Sequence, residues 1–320
     1  MKLLMFSVLY LFFACLISFL QFSSANLDES DLKLIKNVNF ENIKLSYGNS
    51  LSVLKHARKE HVALHPFPHL VVKNCLSKEL YDHLSKTYPE YRKIIELRNS
   101  KSEASNIRLD LDQNDILSGR LVNISSVWKR FVKYHISQAF YLEVVNLFDD
   151  AMRNYLKYHE KILGKSFKSC KTGIRDHRKV RTDCDISTAV NVGVNTPSLV
   201  GGTSVRGEHL DRPLELYAGL LYFRENDDDS TGGALEILTC VKKPNCKKLS
   251  NSKRNLIKKN IGWEVQYNPS DLRIFKSVAY EENTLVFFLN GPRSFHKVSS
   301  RSKTTFPRRL VNIIADRTHH

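Results

Sequence analysis

The feature that most constrains this chain lies downstream of Cys184, where the sequence breaks into short runs that alternate or are rich in β-branched, leucine and aromatic residues. Ala189 to Val194 reads Ala-Val-Asn-Val-Gly-Val, with a period of two. Leu216–Phe223, Ala234–Thr239, Thr284–Leu289 and Leu310–Ile314 follow, separated by Gly, Asn, Asp and Pro. A period of two puts successive side chains on opposite faces of an extended chain, and many short strands with turn signals between them imply a sandwich or barrel.

The first half differs. Pro66-Phe67-Pro68-His69-Leu70-Val71-Val72 reads as a turn into a short strand. Ser77 then stands as the N-cap of a helix over Lys78 to Thr87, with Glu79 in its first turn and Leu80 and Leu84 at helical spacing. Between Val127 and Leu163, residues Phe131, Ile136, Phe140, Val144, Val145 and Phe148 recur at i, i+3 and i+4, which predicts one or two amphipathic helices. The expected organisation is a mainly helical region over 26–185 that buttresses a β-rich core over 186–320, in the α+β class. With 42% hydrophobic and 26% charged residues over 320 positions, the chain can bury a full core.

Residues 1–25 stand apart. Lys2 precedes an almost unbroken apolar run from Leu3 to Leu20, and Ser23-Ser24-Ala25 offers small residues for cleavage. The expectation is a signal peptide, with an uncleaved type II signal anchor as the alternative because the run approaches the ~20 residues that span a bilayer. Either places the body of the chain in the secretory pathway, in the ER or Golgi lumen or secreted. The cysteines agree with an oxidising compartment: Cys170 with Cys184, and Cys240 with Cys246, bracket short basic stretches as two loop staples would, leaving Cys75 as a buried thiol. Asn123-Ile124-Ser125 is a glycosylation sequon. The net charge of +16 is concentrated in the tract 242–259, read either as a solvated insertion or as a surface for a polyanion. Nucleic acid is an unsuitable partner for a translocated chain.

The chemistry-bearing residues fall in the β-rich half. On a strand, His209 and Asp211 project from the same face and offer an imidazole nitrogen and a carboxylate oxygen to one point. Far downstream, Asn290-Gly291-Pro292 leads to Phe295-His296-Lys297-Val298, which places a second histidine at the start of another strand. Two histidines and one carboxylate on one side of a metal leave its other side open, an arrangement suited to non-haem Fe(II). The competing readings are local: Asp211 as a turn residue before Arg212-Pro213, His296 as a strand-end residue, and Arg308 and Arg309 as edge charges. His56, His61, His65 and His69 fit no familiar ligand spacing and read as surface or core positions, and His319 and His320 as a frayed tail.

Taken in order, His209 and Asp211, His296, and Pro307-Arg308-Arg309-Leu310-Val311-Asn312-Ile313 resemble the 2-oxoglutarate- and Fe(II)-dependent oxygenase superfamily, in particular its prolyl-hydroxylase-like branch. Leu216 to Phe223 and Thr231-Gly232-Gly233-Ala234 resemble that family's central strand and the turn after it. The resemblance covers roughly 189–316. It implies a double-stranded β-helix (jelly-roll) core, with iron held by His209, Asp211 and His296. It also implies that Arg308, with Arg309 as the fallback, anchors the distal carboxylate of 2-oxoglutarate, and that Tyr222 hydrogen-bonds the same group. The activity implied is a dioxygenase that consumes O₂ and 2-oxoglutarate, with ascorbate as reductant, and hydroxylates a C–H bond of a protein (a prolyl or lysyl side chain), a glycan or a small molecule. The alternative is a catalytically silent, secreted β-helix domain that binds a polyanionic partner through its basic tract.

Overall fold

The structure, a computed structural model, describes residues 48–98, 105–118, 124–175, 183–241, 265–266 and 269–318. The leader, the Asn123 sequon position, Cys246, the basic tract, His319 and His320 lie outside the described residues. Among the described residues no helix is long and apolar enough to cross a membrane.

Among the described residues the first half is mostly helical, with two short strands. After the short helix α1 (Gly48–Leu51), strand β1 (His69–Lys73) is followed by α2 (Lys78–Lys86) and α3 (Tyr91–Leu97). Ser77 caps α2, its hydroxyl accepting the Leu80 N–H, as the sequence predicts. Strand β2 (Arg108–Leu111) and helix α4 (Gln113–Leu117) come next. The predicted one or two helices between Val127 and Leu163 are three: α5 (Ser126–His135), α6 (Gln138–Tyr155) and α7 (Lys157–Leu163). The break after α5 has a local cause, because Ser137 accepts the Phe140 N–H and so starts a new helix. Helix α6 buries Phe140, Tyr141, Val144, Val145, Phe148 and Met152, the stripe its periodicity calls for.

The second half contains β3 (Thr172–Ile174), β4 (Ile186–Asn195), β5 (His209–Leu210), β6 (Glu215–Tyr222), β7 (Leu235–Cys240), β8 (Val265–Gln266), β9 (Leu272–Val278), β10 (Thr284–Leu289), β11 (His296–Val298) and β12 (Arg308–Arg317). Among the described residues they form two sheets. The larger runs β1-β10-β6-β12-β4-β2, with β3 parallel to β4, and the smaller runs β8-β5-β11-β7-β9. From β4 onward the chain alternates between the two: β4 in the large sheet, β5 in the small, β6 in the large, β7 and β9 in the small, β10 in the large, β11 in the small, β12 in the large. Eight antiparallel strands wound in that order make a jelly roll, the double-stranded β-helix. The fold is therefore α+β, with this core buttressed by helices on one face.

Side-chain alternation explains how both faces of the large sheet are used. Val190, Val192 and Val194 of β4, Tyr217 and Leu221 of β6, Phe287 of β10, and Val311 and Ile313 of β12 pack in one apolar cluster with Trp128, Phe131, Phe140 and Phe148 of the helices. The opposite face supplies Ala218, Tyr222, Val286, Phe288 and Leu310, which pack on Leu235, Ile237 and Val278 of the small sheet. Each large apolar side chain buried in this way contributes ~1.5–3 kcal/mol, so the helical layer anchors the large sheet rather than decorating it.

One expectation fails. Cys170 and Cys184 are buried thiols, as is Cys75, so the Cys170–Cys184 staple is not formed. The Cys170 Sγ is instead turned toward the Ser166 carbonyl, 3.4 Å away, and a disulfide requires the two sulfurs to face each other.

Candidate metal and anion site

Strands β5 and β11 are neighbours, and His209 and His296 stand directly opposite each other in their register. Their ring centroids lie 4.2 Å apart. Asp211, just past the end of β5, reaches both: its Oδ1 is 3.5 Å from His209 Nε2 and its Oδ2 is 3.5 Å from His296 Nε2. One ligand atom from each of the three lies within 4.8 Å of the others. The residues paired by i, i+2 spacing and the one far downstream are thus brought to a single point by one antiparallel register.

The orientation of both rings is set from behind. His209 Nδ1–H donates to the Gly207 carbonyl at 2.7 Å, and His296 Nδ1–H donates to the Ser294 carbonyl at 2.9 Å. A carbonyl only accepts, so each Nδ1 carries a proton and each Nε2 is turned toward Asp211. Ser294 is itself tied down, its hydroxyl donating to Asn290 Oδ1. Burial, then the neighbouring His209 ring, pushes His296 down to about 4. Burial alone would raise the Asp211 carboxyl, but His296, His209 and Arg206 outweigh it and hold the group well below the usual carboxylate range. Near neutral pH the cluster therefore offers a neutral His296 nitrogen and a carboxylate. That donor set, two imidazoles and one carboxylate, fits a divalent first-row metal, Fe(II) among them.

The cluster opens into a cavity of about 350 Å³ between the two sheets. Arg308 is on its wall and is 1% exposed. Its Nε donates to the Gly233 carbonyl (2.9 Å) and its Nη1 to Asn195 Oδ1 (3.2 Å), while Nη2 has no hydrogen-bond partner among the described residues. The guanidinium lies 4.8 Å over the Tyr222 ring and 5.0 Å over Tyr280. No carboxylate pairs with it among the described residues. A buried cation held by neutral acceptors, with one donor unused, is a preformed place for an anion.

Arg309 faces the other way. Its Nε donates to the Phe223 carbonyl and lies 3.3 Å from Glu225, and its Cζ sits 5.1 Å over Tyr88. Of the two, Arg308 shares the cavity with His209, Asp211 and His296. Tyr222 is fully buried on the inward face of β6, and its hydroxyl has no partner among the described residues. Tyr217, on the outward face, is a core residue.

Several lining residues escaped the sequence reading: Arg108, Arg175, Asn191, Asn195 and Asn312. A usable signal was present. Asn191, Asn195 and Asn312 interrupt valine- and isoleucine-rich strands at positions whose parity matches Arg308 or faces it across the β4–β12 register. A polar residue recurring on one face of an otherwise apolar strand marks the face that lines a polar cavity.

Neither family models nor curated proteins give a match to this chain. Among solved structures, a Pseudomonas putida prolyl-4-hydroxylase aligns with 78% of this chain and 92% of its own, at 13% identity and a TM-score of 0.36. A prolyl hydroxylase from Trichoplax adhaerens, solved with a hypoxia inducible factor peptide, covers 84% and 89% at 10% identity and a TM-score of 0.37. The epimerase SnoN, solved with Fe3+, alpha ketoglutarate and nogalamycin RO, covers 82% and 81% at 12% identity and a TM-score of 0.36. Likenesses this loose do not assign an activity.

Proposed function

We propose that this chain is an Fe(II)- and 2-oxoglutarate-dependent dioxygenase that hydroxylates a C–H bond. One observation carries the reading: a cluster of two imidazoles and a carboxylate shares one cavity with a buried guanidinium that has no carboxylate partner among the described residues. A three-ligand metal site alone would suit zinc hydrolysis as well. The buried Arg308 favours the oxygenase, because a dicarboxylate co-substrate needs a cation at the far end of its pocket, which zinc hydrolysis as such does not.

His209, Asp211 and His296 would hold the metal, and Arg308 with Tyr222 the distal carboxylate of 2-oxoglutarate. Bound together, iron and 2-oxoglutarate supply the oxidation of a C–H bond by O₂, with decarboxylation to succinate. The protein's own part is positional. The Gly207 and Ser294 carbonyls fix the two ring tautomers, the Gly233 carbonyl and Asn195 hold the guanidinium, and the apolar packing of Leu235 and Phe288 against the inner sheet face limits water around the cavity. A silent polyanion-binding module leaves this arrangement without a purpose. For the substrate we keep the reading of a protein or peptide side chain, prolyl or lysyl, acted on in the secretory lumen, where the apolar leader would deliver the chain.

The test is anaerobic Fe(II) binding followed by aerobic conversion of 2-oxoglutarate to succinate. Both should be present in the wild type and lost in His209→Ala. Turnover at the wild-type level in that variant would dispose of the iron assignment.

A further inference from the structure

Asn195 closes strand β4 and stands in register with Arg308 of β12 on one side and Arg108 of β2 on the other. All three side chains line the cavity. Asn195 is 1% exposed. Its Oδ1 is engaged, accepting from Arg308 Nη1 at 3.2 Å, and this fixes which way the amide lies. The other half of the amide, Nδ2, is buried and has no partner among the described residues, and the same holds for Arg308 Nη2.

We propose that Asn195 is a second co-substrate-binding residue, donating from Nδ2 to the same distal carboxylate that Arg308 anchors. This rests on the reading of Arg308 as the anchor. The geometry gives Asn195 a double role that no other residue type of its size fulfils. Its oxygen orients the guanidinium, and its nitrogen supplies a further donor at the mouth of the fork. A carboxylate has two oxygens with about four lone-pair directions, so a single Nη2–H leaves it under-satisfied beside the buried Arg308 and Asn195 side chains. Adding Asn195 Nδ2–H, with the Tyr222 hydroxyl as a third buried donor beside the guanidinium, completes a cradle for one carboxylate. Aspartate at this position would still accept from Arg308, but it would neutralise the guanidinium and set a negative charge against the ligand.

The experiment measures calorimetric binding, without O₂, of 2-oxoglutarate and of 2-oxopentanoate to Mn(II)-loaded protein. 2-Oxopentanoate has the same carbon chain but a methyl group in place of the distal carboxylate. Wild type should prefer 2-oxoglutarate strongly. Asn195→Asp should lose about 100-fold or more in 2-oxoglutarate affinity, because it removes a hydrogen bond to a charged group and adds a like charge beside it, with little change for 2-oxopentanoate. Asn195→Ala should show a smaller loss of the same selective kind. Mn(II) uptake at the histidine–aspartate cluster reports that each variant is folded. Undiminished selectivity in both variants overturns the role of Asn195 and leaves the proposed function standing. A wild type that binds neither acid, or binds them equally, removes the anchor reading and this inference with it.

Discussion

Arg308 and Arg309 are adjacent in the chain and occupy opposite faces of one strand: the first reaches into the cavity to Asn195 and Gly233, the second reaches outward to Phe223, Ser85 and Glu225. Substitution should separate them cleanly. Arg308→Lys keeps a cation but loses the planar fork, and we expect 2-oxoglutarate affinity to fall about 10- to 100-fold. Arg309→Ala should leave that affinity within about twofold while lowering stability by ~1–3 kcal/mol through the lost outward bonds. Calorimetry and urea unfolding on the same two proteins decide it, and the reverse pattern would refute the assignment.

The metal cluster makes its own prediction. Asp211 reaches the Nε2 atoms of both imidazoles at 3.5 Å each. Asp211→Asn keeps the shape and removes the anionic ligand, so Mn(II) affinity, read by electron paramagnetic resonance, should drop about 100-fold or more, or roughly 3 kcal/mol. An affinity within a few-fold of wild type would show that the carboxylate does not hold the metal.

The turn between β6 and β7 should be intolerant of side chains. Gly232 and Gly233 have φ of 79° and 71°, in the left-handed region. A Cβ on Gly232 would lie 1.8 Å from the Ser300 carbonyl oxygen, whereas one on Gly233 would meet Arg301 Cγ at 3.2 Å and Arg308 Cδ at 3.3 Å. Gly232→Ala should cost at least ~2 kcal/mol of stability, from the backbone penalty and the backbone clash. Gly233→Ala should be milder on stability and instead weaken 2-oxoglutarate binding, because its methyl presses on Arg308. Thermal melts paired with binding isotherms would show that split, or its absence.

Acid should attack the helical layer through His135. This residue is fully buried; its Nδ1–H donates to the Phe131 carbonyl and its Nε2 accepts the Val53 N–H. Burial lowers it to about 3 from an ordinary 6.5. The folded form thus resists the proton that the unfolded chain accepts, so stability is full above pH ~6.5 and declines as pH falls toward 3. The slope approaches ~1.4 kcal/mol per pH unit within that window. His135→Gln should flatten the stability profile between pH 4 and 6 relative to wild type, measured by urea unfolding. Parallel profiles for the two proteins would exclude His135 as the sensitive group.

Much of this was legible in the linear sequence because it depends on local rules. Ser77 as a cap, the stripe of α6, the alternation of β4 and the same-face placement of His209 and Asp211 all follow from backbone periodicity and short-range hydrogen bonding. Strand β2 and the exposed edge strand β9 were harder to read. The first has four residues, and the second lacks the burial that would impose an apolar pattern.

What the sequence determined by itself was the set of groups: which imidazoles, carboxylates and guanidinia exist, and which neighbours share a strand face. The tertiary structure alone decided which face of β12 looks inward, that Cys170 and Cys184 do not pair, and that Asn195 stands beside Arg308. The reason is physical. Parity along one strand is a local property, whereas the choice of inner face and the partner across a sheet come from burial against elements distant in the chain, where a slip of one residue exchanges every inward side chain for an outward one.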